Sequence, residues 1–361
     1  MDLTKQNPHL DGLRGIAIIT VIVYHYSTGL YIFDFGWMGV DLFFVLSGYL
    51  LTGRLYPFLD DKKIIWKFYL NRIIRIVPLY YLFLLSFFGG WFIFTSDITQ
   101  QQFPIYKNYY LSFFGFFCNW VFILNSNFKH IHLSHLWSLC VEEQLYVLFP
   151  LLITIVKDKK ILLVTGILMI FLSLFFRIFY FSHNIGENEK IYWNTFYRCD
   201  SFLLGFVLFM MIENGYKKNI QLHIRKVFVV TIAIVSLGLV FQGTMRIGEF
   251  VSTIGYTIIG IFFCCLIFFL ESNEQNILKK ITLNKILRFS GKISYGLFLF
   301  NWPIFILGFT LTNYFTKLLG YNLNEQSIQI LNGFFSLILT YFISIISFKY
   351  YESFFMKFKM R

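Results

Sequence analysis

Long apolar segments recur along this chain from Leu13 almost to its end. Of its 361 residues, 57% are hydrophobic and only 14% are charged, whereas a soluble domain carries about a quarter charged residues. A run of about 20 apolar residues is long enough to cross a bilayer as a helix. The sequence therefore predicts an all-α, polytopic membrane helix bundle of ten spans, at roughly 13–33, 38–56, 76–96, 136–156, 161–181, 199–212, 227–243, 250–270, 292–312 and 328–348.

The distribution of the 31 lysines and arginines predicts the orientation of these spans. With a cytoplasmic N-terminus, 24 of the 31 fall on the inner side or at inner ends of spans, as the positive-inside rule requires. Topology then explains the net charge of +12, and nucleic acid is not expected as a partner. We expect no cleaved signal peptide, one domain over residues 1–361, cytoplasmic termini and no appended extracytoplasmic domain.

The first span carries two ionisable residues on one face. Arg14 and His25 stand 11 residues apart in LDGLRGIAIITVIVYH. At 3.6 residues per turn, they fall within about 20° of the same helical face and roughly 16 Å apart along the axis. Ionisable groups inside apolar spans are costly, and this makes both residues functional candidates.

Further arginines gather on the predicted inner side. Arg72 and Arg75 share a helical face just before Pro78, and Arg54 lies near the inner end of the second span. An ordinary positive-inside anchor explains the neighbouring lysines. Paired arginines instead favour bidentate contacts with phosphate. Together with Arg14, these residues predict a phosphate-binding cluster.

Other ionisable residues fall in the outer half of the predicted spans. Asp41 lies in the first turn of the second span, where it either satisfies free amides or serves a site. Glu142 shares a face with a serine and a tyrosine, either in a polar network or paired with an arginine of another helix. Glu143 points elsewhere and either snorkels outward or balances a cation. Arg198 and Asp200 open the sixth span and either form structural ion pairs or contact substrate.

Two classes of protein fit this division into an inner and an outer cluster. Imidazole titrates near neutral pH, so a histidine near carboxylates can transfer protons, and the arginines can neutralise a polyphosphate. An enzyme with a phosphorylated donor inside would have this arrangement, and so would a proton-coupled transporter or exporter of a glycan or lipid. A structural assembly subunit would leave the buried histidine unexplained.

Several other features favour ordinary structural roles. The five cysteines lack metal-ligand spacing and are predicted to be buried small side chains. His130, His132 and His135 are predicted to be exposed loop residues, and no metal is expected. The apolar segment 109–124 either lies in the membrane interface or enters the membrane and returns. The seventh and eighth spans carry almost no polar residues and are predicted to face lipid.

Six stretches, in order, resemble the acyltransferase-3 family of integral membrane acyltransferases: LDGLRG with the following His25, GVDLFFVLSGYL, NRIIRIVPLYY, HLWSLCVEEQLYVLFP, RCDSFLLG and ISYGLFLFNWP. The resemblance covers about residues 8 to 355. It implies transfer of an acyl group, usually acetyl, from cytoplasmic acyl-CoA to a hydroxyl of a lipopolysaccharide, peptidoglycan, exopolysaccharide or related glycan. It also implies a multi-pass enzyme of the cytoplasmic (inner) membrane.

The resemblance also implies roles for individual residues. The family's pair in the first helix falls on Arg14 and His25, its Arg-x-x-Arg motif on Arg72 and Arg75, and its motif glutamate on Glu142. The arginines would hold the CoA phosphates, and His25 would be a general base or would itself be acylated. The expected roles are catalytic for His25, Glu142 and Asp41; donor-binding for Arg14, Arg54, Arg72 and Arg75; and substrate-binding for Arg198 and Asp200.

This chain departs from the family pattern at two positions. Many relatives carry a histidine in the ninth span where this chain has Asn301, which cannot titrate. Phe354 stands where a proline follows the closing glutamate, here Glu352, and this is expected to change only the end of the last helix. Some relatives also carry an extracytoplasmic esterase-like domain. The expected absence of one implies direct acylation of the acceptor or delivery to a separate extracytoplasmic protein.

Overall fold

The computed structural model describes residues 7–26, 31–58, 62–91, 97–125, 132–156, 158–242, 247–272, 275–321 and 323–360. Within these residues the chain is helical and contains no strand, which confirms the predicted all-α class. The helices are α1 (Pro8–Tyr26), α2 (Gly39–Leu55), α3 (Lys62–Trp91), α4 (Asp97–Phe114), α5 (Cys118–Leu124), α6 (Trp137–Ile155), α7 (Lys159–His183), α8 (Asn188–Trp193), α9 (Thr195–Met211), α10 (Lys217–Gln242), α11 (Tyr256–Glu271), α12 (Ile277–Thr282), α13 (Lys285–Lys292), α14 (Ser294–Leu318), α15 (Glu325–Ile346) and α16 (Ser353–Met356).

Short polar side chains fix where several helices begin. The carboxylate of Asp158 accepts from two amides of the first turn of α7, and Asn194 does the same for α9. Asn284 and Asn324 cap α13 and α15. Asx side chains at these positions satisfy amides that have no partner inside the helix. The sequence thus encodes these helix starts locally.

Eight helical stretches among the described residues are long and apolar enough to cross a membrane. Each of the ten predicted spans overlaps a helix, but three of them are not separate members of the eight. Helix α1 is less apolar, and α9 with α10 forms one stretch, Thr195–Val240. Within it, Gly215 has a positive φ of 89° and interrupts the helix. The chain is therefore a multi-pass membrane protein, and the number ten and the sidedness of the termini stay predictions.

The chain divides into two compact units. The first comprises Met1–Tyr24, Leu30–Lys62 and Leu145–Ser294. Inside it, α2 and α9 cross in backbone contact: a Cβ on Gly48 would lie 1.9 Å from the carbonyl oxygen of Phe202, and one on Gly205 would lie 2.0 Å from that of Val45. Small residues in the second span thus admit another backbone.

Helix α11 belongs to the same unit and corrects the prediction that the eighth span faces lipid. Most of α11 is buried, including Tyr256, Ile259 and Phe268, and it packs on α2, α9 and α10. By contrast, α10 leaves Val229 and Leu237 exposed, as a lipid-facing span would. An almost wholly apolar sequence does not distinguish a buried helix from a lipid-facing one, because both environments accept apolar side chains.

The second unit comprises His25–Gly29, Lys63–Gln144 and Tyr295–Arg361. Helix α3 begins at Lys62 and continues through Pro78, so it starts well before the predicted third span and includes Arg72 and Arg75. Segment 109–124 is divided between α4 and α5, and neither helix is among the stretches able to cross a membrane. The chain turns between them at Phe116, whose φ is +59°.

Candidate active site

His25 lies at the end of α1, where it is half-buried within the second unit. Its Nδ1 is 2.5 Å from Oδ1 of Asn301 on α14. The amide of Asn301 is fully buried and also bonds to its own helix, because Nδ2 donates to the carbonyls of Leu297 and Phe298. The departure from the family pattern at Asn301 therefore contacts the predicted catalytic histidine directly.

Neighbouring aromatic side chains hold this contact in place. The ring of Trp302 lies 5.0 Å from that of His25 and stacks on Phe305. The hydroxyl of Tyr26 donates to the backbone carbonyl of Asn301 at 3.0 Å. The Tyr26 ring also stacks on Phe305 at 4.9 Å. The last turn of α1 and the middle of α14 thus form one packed cluster.

His135 is buried, which corrects its prediction as an exposed loop residue. Its Nε2 lies 3.2 Å from the carbonyl oxygen of Leu299, and its ring lies close to that of Phe298. The helical donor for the Leu299 carbonyl would be the amide of residue 303. Pro303 has no N–H, so His135 satisfies a carbonyl that its own helix leaves open. His132 is half-buried, and His130 lies outside the described residues.

Arg72 contacts both glutamates of the family-like motif. Its Nη2 lies 2.7 Å from Oε1 of Glu143 and 3.4 Å from Oε1 of Glu142, and its Nε donates to Glu143 at 3.1 Å. Two alternatives from the sequence therefore hold: Glu143 balances a cation, and Glu142 pairs with an arginine of another helix. The structure corrects the division into inner and outer clusters, since Arg72 and Glu142 were assigned to opposite sides and are in contact.

Arg75 lies one turn further along α3. It interacts electrostatically with Glu143 and Glu352, and Tyr295 lies in the same neighbourhood. Glu352 is buried and accepts from the hydroxyl of Ser347. The two arginines of the Arg-x-x-Arg motif therefore share a carboxylate-containing environment.

Two ion pairs lie fully buried in the first unit. Arg198 Nη2 is 2.8 Å from Asp41 Oδ1, and Arg177 Nη1 is 3.0 Å from Asp200 Oδ2. All four side chains have no exposed surface. The guanidinium of Arg198 also lies 3.6 Å from the ring centroid of Tyr256. The predicted substrate residues Arg198 and Asp200 thus pair separately, each with an opposite charge on another helix.

Arg177 is a residue that sequence reasoning missed. It lies near the end of α7 and donates to the carbonyls of Thr253 and Tyr197 and to the hydroxyl of Thr257. Thr257 in turn donates to Asp200. An arginine in an apolar helix is itself a signal of a buried partner, and this signal could have identified Arg177.

Arg14 and Arg54, the other predicted donor ligands, belong to the first unit. Arg54 is exposed near the end of α2. Arg14 is half-buried, and its Nε has no hydrogen-bond partner among the described residues. A guanidinium with an unused donor suits phosphate. The assignment of these arginines to the donor stays a prediction.

The five cysteines are free and buried, as predicted. Sγ of Cys118 and Sγ of Cys140 lie 3.1 Å apart, and burial raises the pKa of the Cys118 thiol well above its usual range. A buried thiol with a raised pKa is a poor nucleophile. Among the residues that the structure describes, no group of three or more His, Cys, Asp or Glu side chains could hold a metal ion.

A comparison with models of protein families assigns the chain to a family. The model described as an acyltransferase domain of the acyltransferase-3 type matches residues 7–349. The chain belongs to the acyltransferase-3 family. The match includes every residue for which the resemblance implied a role, from Arg14 through Glu142 to Asn301.

Curated relatives of this acyltransferase-3 chain come from Staphylococcus aureus. O-acetyltransferase OatA of strain NCTC 8325 / PS 47 is 30% identical over 318 residues, which are 83% of this chain and 50% of the relative. A protein of strain COL, provisionally named an O-acetyltransferase, is 32% identical over 321 residues, 82% of this chain and 50% of the relative. The chain spans about half the length of the relatives it matches. No solved structure matches it.

Proposed function

We propose that this protein is a membrane O-acyltransferase that transfers an acyl group, acetyl in the first instance, from cytoplasmic acyl-CoA to a hydroxyl of a cell-surface glycan. Its family membership and relatives named as O-acetyltransferases support the reaction class. The observation that carries the proposal is the half-buried imidazole of His25, held by Asn301 at the end of an apolar helix. The proposed location is the cytoplasmic (inner) membrane.

His25 acts as the general base in the proposed reaction. Its imidazole takes the proton from the acceptor hydroxyl while the hydroxyl oxygen attacks the thioester carbonyl. The new C–O ester bond forms, the C–S bond breaks, and the proton passes to the departing sulfur of CoA. Imidazole suits both steps because it titrates near neutral pH.

The donor is held by arginines in this proposal. In the second unit, Arg72 and Arg75 supply positive charge for the phosphates of CoA. Arg14 and Arg54 of the first unit are further candidates for phosphate contact, and Arg14 has an unused guanidinium donor. Arg72 contributes less, because Glu143 and Glu142 already accept its hydrogen bonds. The carboxylates hold Arg72 in place, and Arg75, one turn away on α3, is the second proposed phosphate ligand of this unit.

The test is acyl transfer by the full-length protein in isolated membranes, with radiolabelled acetyl-CoA as donor. His25→Ala should abolish label transfer to the glycan while the protein stays at wild-type abundance in the membrane. His183→Ala is the matched control, because His183 is an exposed histidine at the end of another apolar helix, α7. Wild-type transfer by His25→Ala would contradict the proposal.

The acceptor can be identified in a separate experiment. Mass analysis of surface glycans from cells with and without this protein should show an ester-linked acyl group only when the protein is present. Identical glycan masses would contradict a glycan acceptor while leaving acyl transfer to another hydroxyl open to the membrane assay.

A further inference from the structure

The amide of Asn301 can adopt only one orientation in its surroundings. Its Nδ2 lies 3.0 Å from the carbonyl oxygen of Leu297 and 2.5 Å from that of Phe298. Carbonyl oxygens only accept hydrogen bonds, so the NH₂ end must face them. A reversed amide would place Oδ1 against two other oxygens and would leave all three without a proton between them. Oδ1 therefore faces His25.

This orientation determines which nitrogen of His25 carries the proton. Oδ1 of Asn301 lies 2.5 Å from Nδ1 of His25 and cannot donate. Nδ1 must therefore be protonated, and in the neutral ring Nε2 then carries the lone pair. We propose that Asn301 is a positioning residue that fixes His25 in the Nδ1–H tautomer and presents Nε2 to the reacting hydroxyl.

The surrounding packing prevents the ring from escaping this arrangement. Trp302 lies against the imidazole at 5.0 Å with an angle of 50° between the rings. The hydroxyl of Tyr26 bonds to the carbonyl of Asn301 and to Thr340 of α15. A flip of the imidazole would replace Nδ1 by a carbon and lose the bond to Asn301. The backbone of Asn301 and the ring of His25 are thus both held in place.

The inference rests on the proposed function, in which His25 acts on the acceptor. It also gives a physical role to the position where this chain departs from its family. A histidine there could titrate as well as orient. Asparagine orients without titrating, so position 301 in this chain can hold His25 but cannot exchange a proton with it.

The tautomer can be read directly without any turnover. In the full-length protein labelled with ¹⁵N-histidine and held in lipid nanodiscs, the ¹⁵N shifts distinguish a protonated ring nitrogen from one that carries a lone pair. A His25→Gln variant identifies the His25 signals. We expect protonated Nδ1 and unprotonated Nε2 in the neutral wild-type ring. The opposite tautomer would overturn the proposal, whatever the variants do.

Substitutions at Asn301 test the consequence for catalysis. Asn301→Leu removes the acceptor for Nδ1 and should allow His25 to adopt the Nε2–H tautomer. This should lower kcat for acetyl transfer by about 10²-fold and leave the KM for acetyl-CoA unchanged. Asn301→Asp should recover most of kcat at pH 6, because a carboxyl protonated on the oxygen facing Leu297 and Phe298 still accepts from Nδ1. Wild-type kcat in Asn301→Leu, or no recovery in Asn301→Asp, would overturn the positioning role.

The matched control is Asn332→Leu. Asn332 is another fully buried amide, on α15, whose Nδ2 donates to the carbonyl of Phe305. Its loss should lower the melting temperature but leave the His25 tautomer and the KM for acetyl-CoA unchanged. An equal loss of kcat in Asn332→Leu and Asn301→Leu would assign Asn301 a merely structural role. Transfer retained by His25→Ala would instead refute the proposed function and leave the tautomer assignment standing.

Discussion

At the scale of single residues, Arg72 is both the partner of a buried carboxylate pair and a candidate ligand for the donor phosphates. Its guanidinium is largely buried and bonded to Glu143, with Glu142 close by. Removing one partner of a buried pair leaves an uncompensated charge, while removing both can be nearly neutral. A loss of activity in a single arginine variant therefore does not by itself reveal contact with the donor.

A charge-neutral double variant separates the two roles. Arg72→Met alone should lower stability by about 2 kcal/mol or more, and Arg72→Met with Glu143→Gln should recover most of that loss. We expect the recovered double variant to change the KM for acetyl-CoA less than threefold, whereas Arg75→Met should raise it about tenfold. Thermal melting in detergent and steady-state kinetics give both quantities. A KM raised equally in both variants would restore Arg72 as a principal phosphate ligand.

The sequence predicted the chemistry of several residues but few of their partners. His25 and Asn301 stand 276 positions apart, and no periodicity relates residues at such a distance. Glu143 was placed on a different helical face from Glu142, with a cation as one possible partner, and a single long arginine side chain reaches both carboxylates. His135 was assigned to a loop because it precedes the apolar run. The open carbonyl that it satisfies exists only because Pro303 is folded into another helix.

At the scale of helices, the crossing of α2 and α9 depends on glycine. The carbonyl of Phe202 lies where a side chain on Gly48 would begin, and the carbonyl of Val45 lies in the same position relative to Gly205. The Asp41–Arg198 ion pair joins the same two helices. Close backbone approach and a buried charge pair thus stabilise the same interface.

Replacing glycine by alanine at the crossing of α2 and α9 should lower stability, whereas the same replacement at an open position of α3 should raise it. Gly48→Ala places a methyl group against backbone and should destabilise the protein by about 2 kcal/mol or more. Gly89→Ala is the control, because a Cβ there meets nothing within 4 Å and should stabilise α3 by about 0.5–1 kcal/mol. Melting temperatures of the two variants should therefore move in opposite directions. A shared direction would show that the crossing relaxes to admit a methyl group.

Predictions at the helix scale succeeded where apolar periodicity or a local cap determined the structure. Each predicted span overlaps a helix, and Gly48 of the second span lies at the crossing of α2 and α9. The burial of α11 could not be predicted, since its apolar surface suits lipid and protein equally. The buried position of α11 is stabilised by two contacts with α9: Thr257 donates to Asp200, and the ring of Tyr256 packs against the guanidinium of Arg198.

At the scale of the whole molecule, the number of crossings determines which loops share a compartment. The positive-inside rule places Lys160 and Leu222 inside, and Ile185 and Glu249 outside, if α9 and α10 are separate spans. All four side chains are exposed. A single crossing by the stretch Thr195–Val240 would instead bring Glu249 to the inner side.

Cysteine labelling in intact cells measures this topology. Ile185→Cys and Glu249→Cys should react with a membrane-impermeant maleimide, while Lys160→Cys and Leu222→Cys should react only after permeabilisation. The wild-type chain provides the background, because its five cysteines are buried. Labelling of Glu249→Cys only after permeabilisation would contradict the ten-span arrangement.

The buried pairs also constrain how the chain is made. Arg177 pairs with Asp200, which lies 23 residues further along the chain. Asp41 pairs with Arg198, which lies 157 residues further along. A lone charge in an inserting helix costs up to about 2.5–3.5 kcal/mol, the value at the helix centre. During synthesis, α2 and α7 enter the membrane before these charges are neutralised. Only the arrival of α9 completes both pairs, so we expect chains that stop before it to be less stable in the bilayer than the full chain.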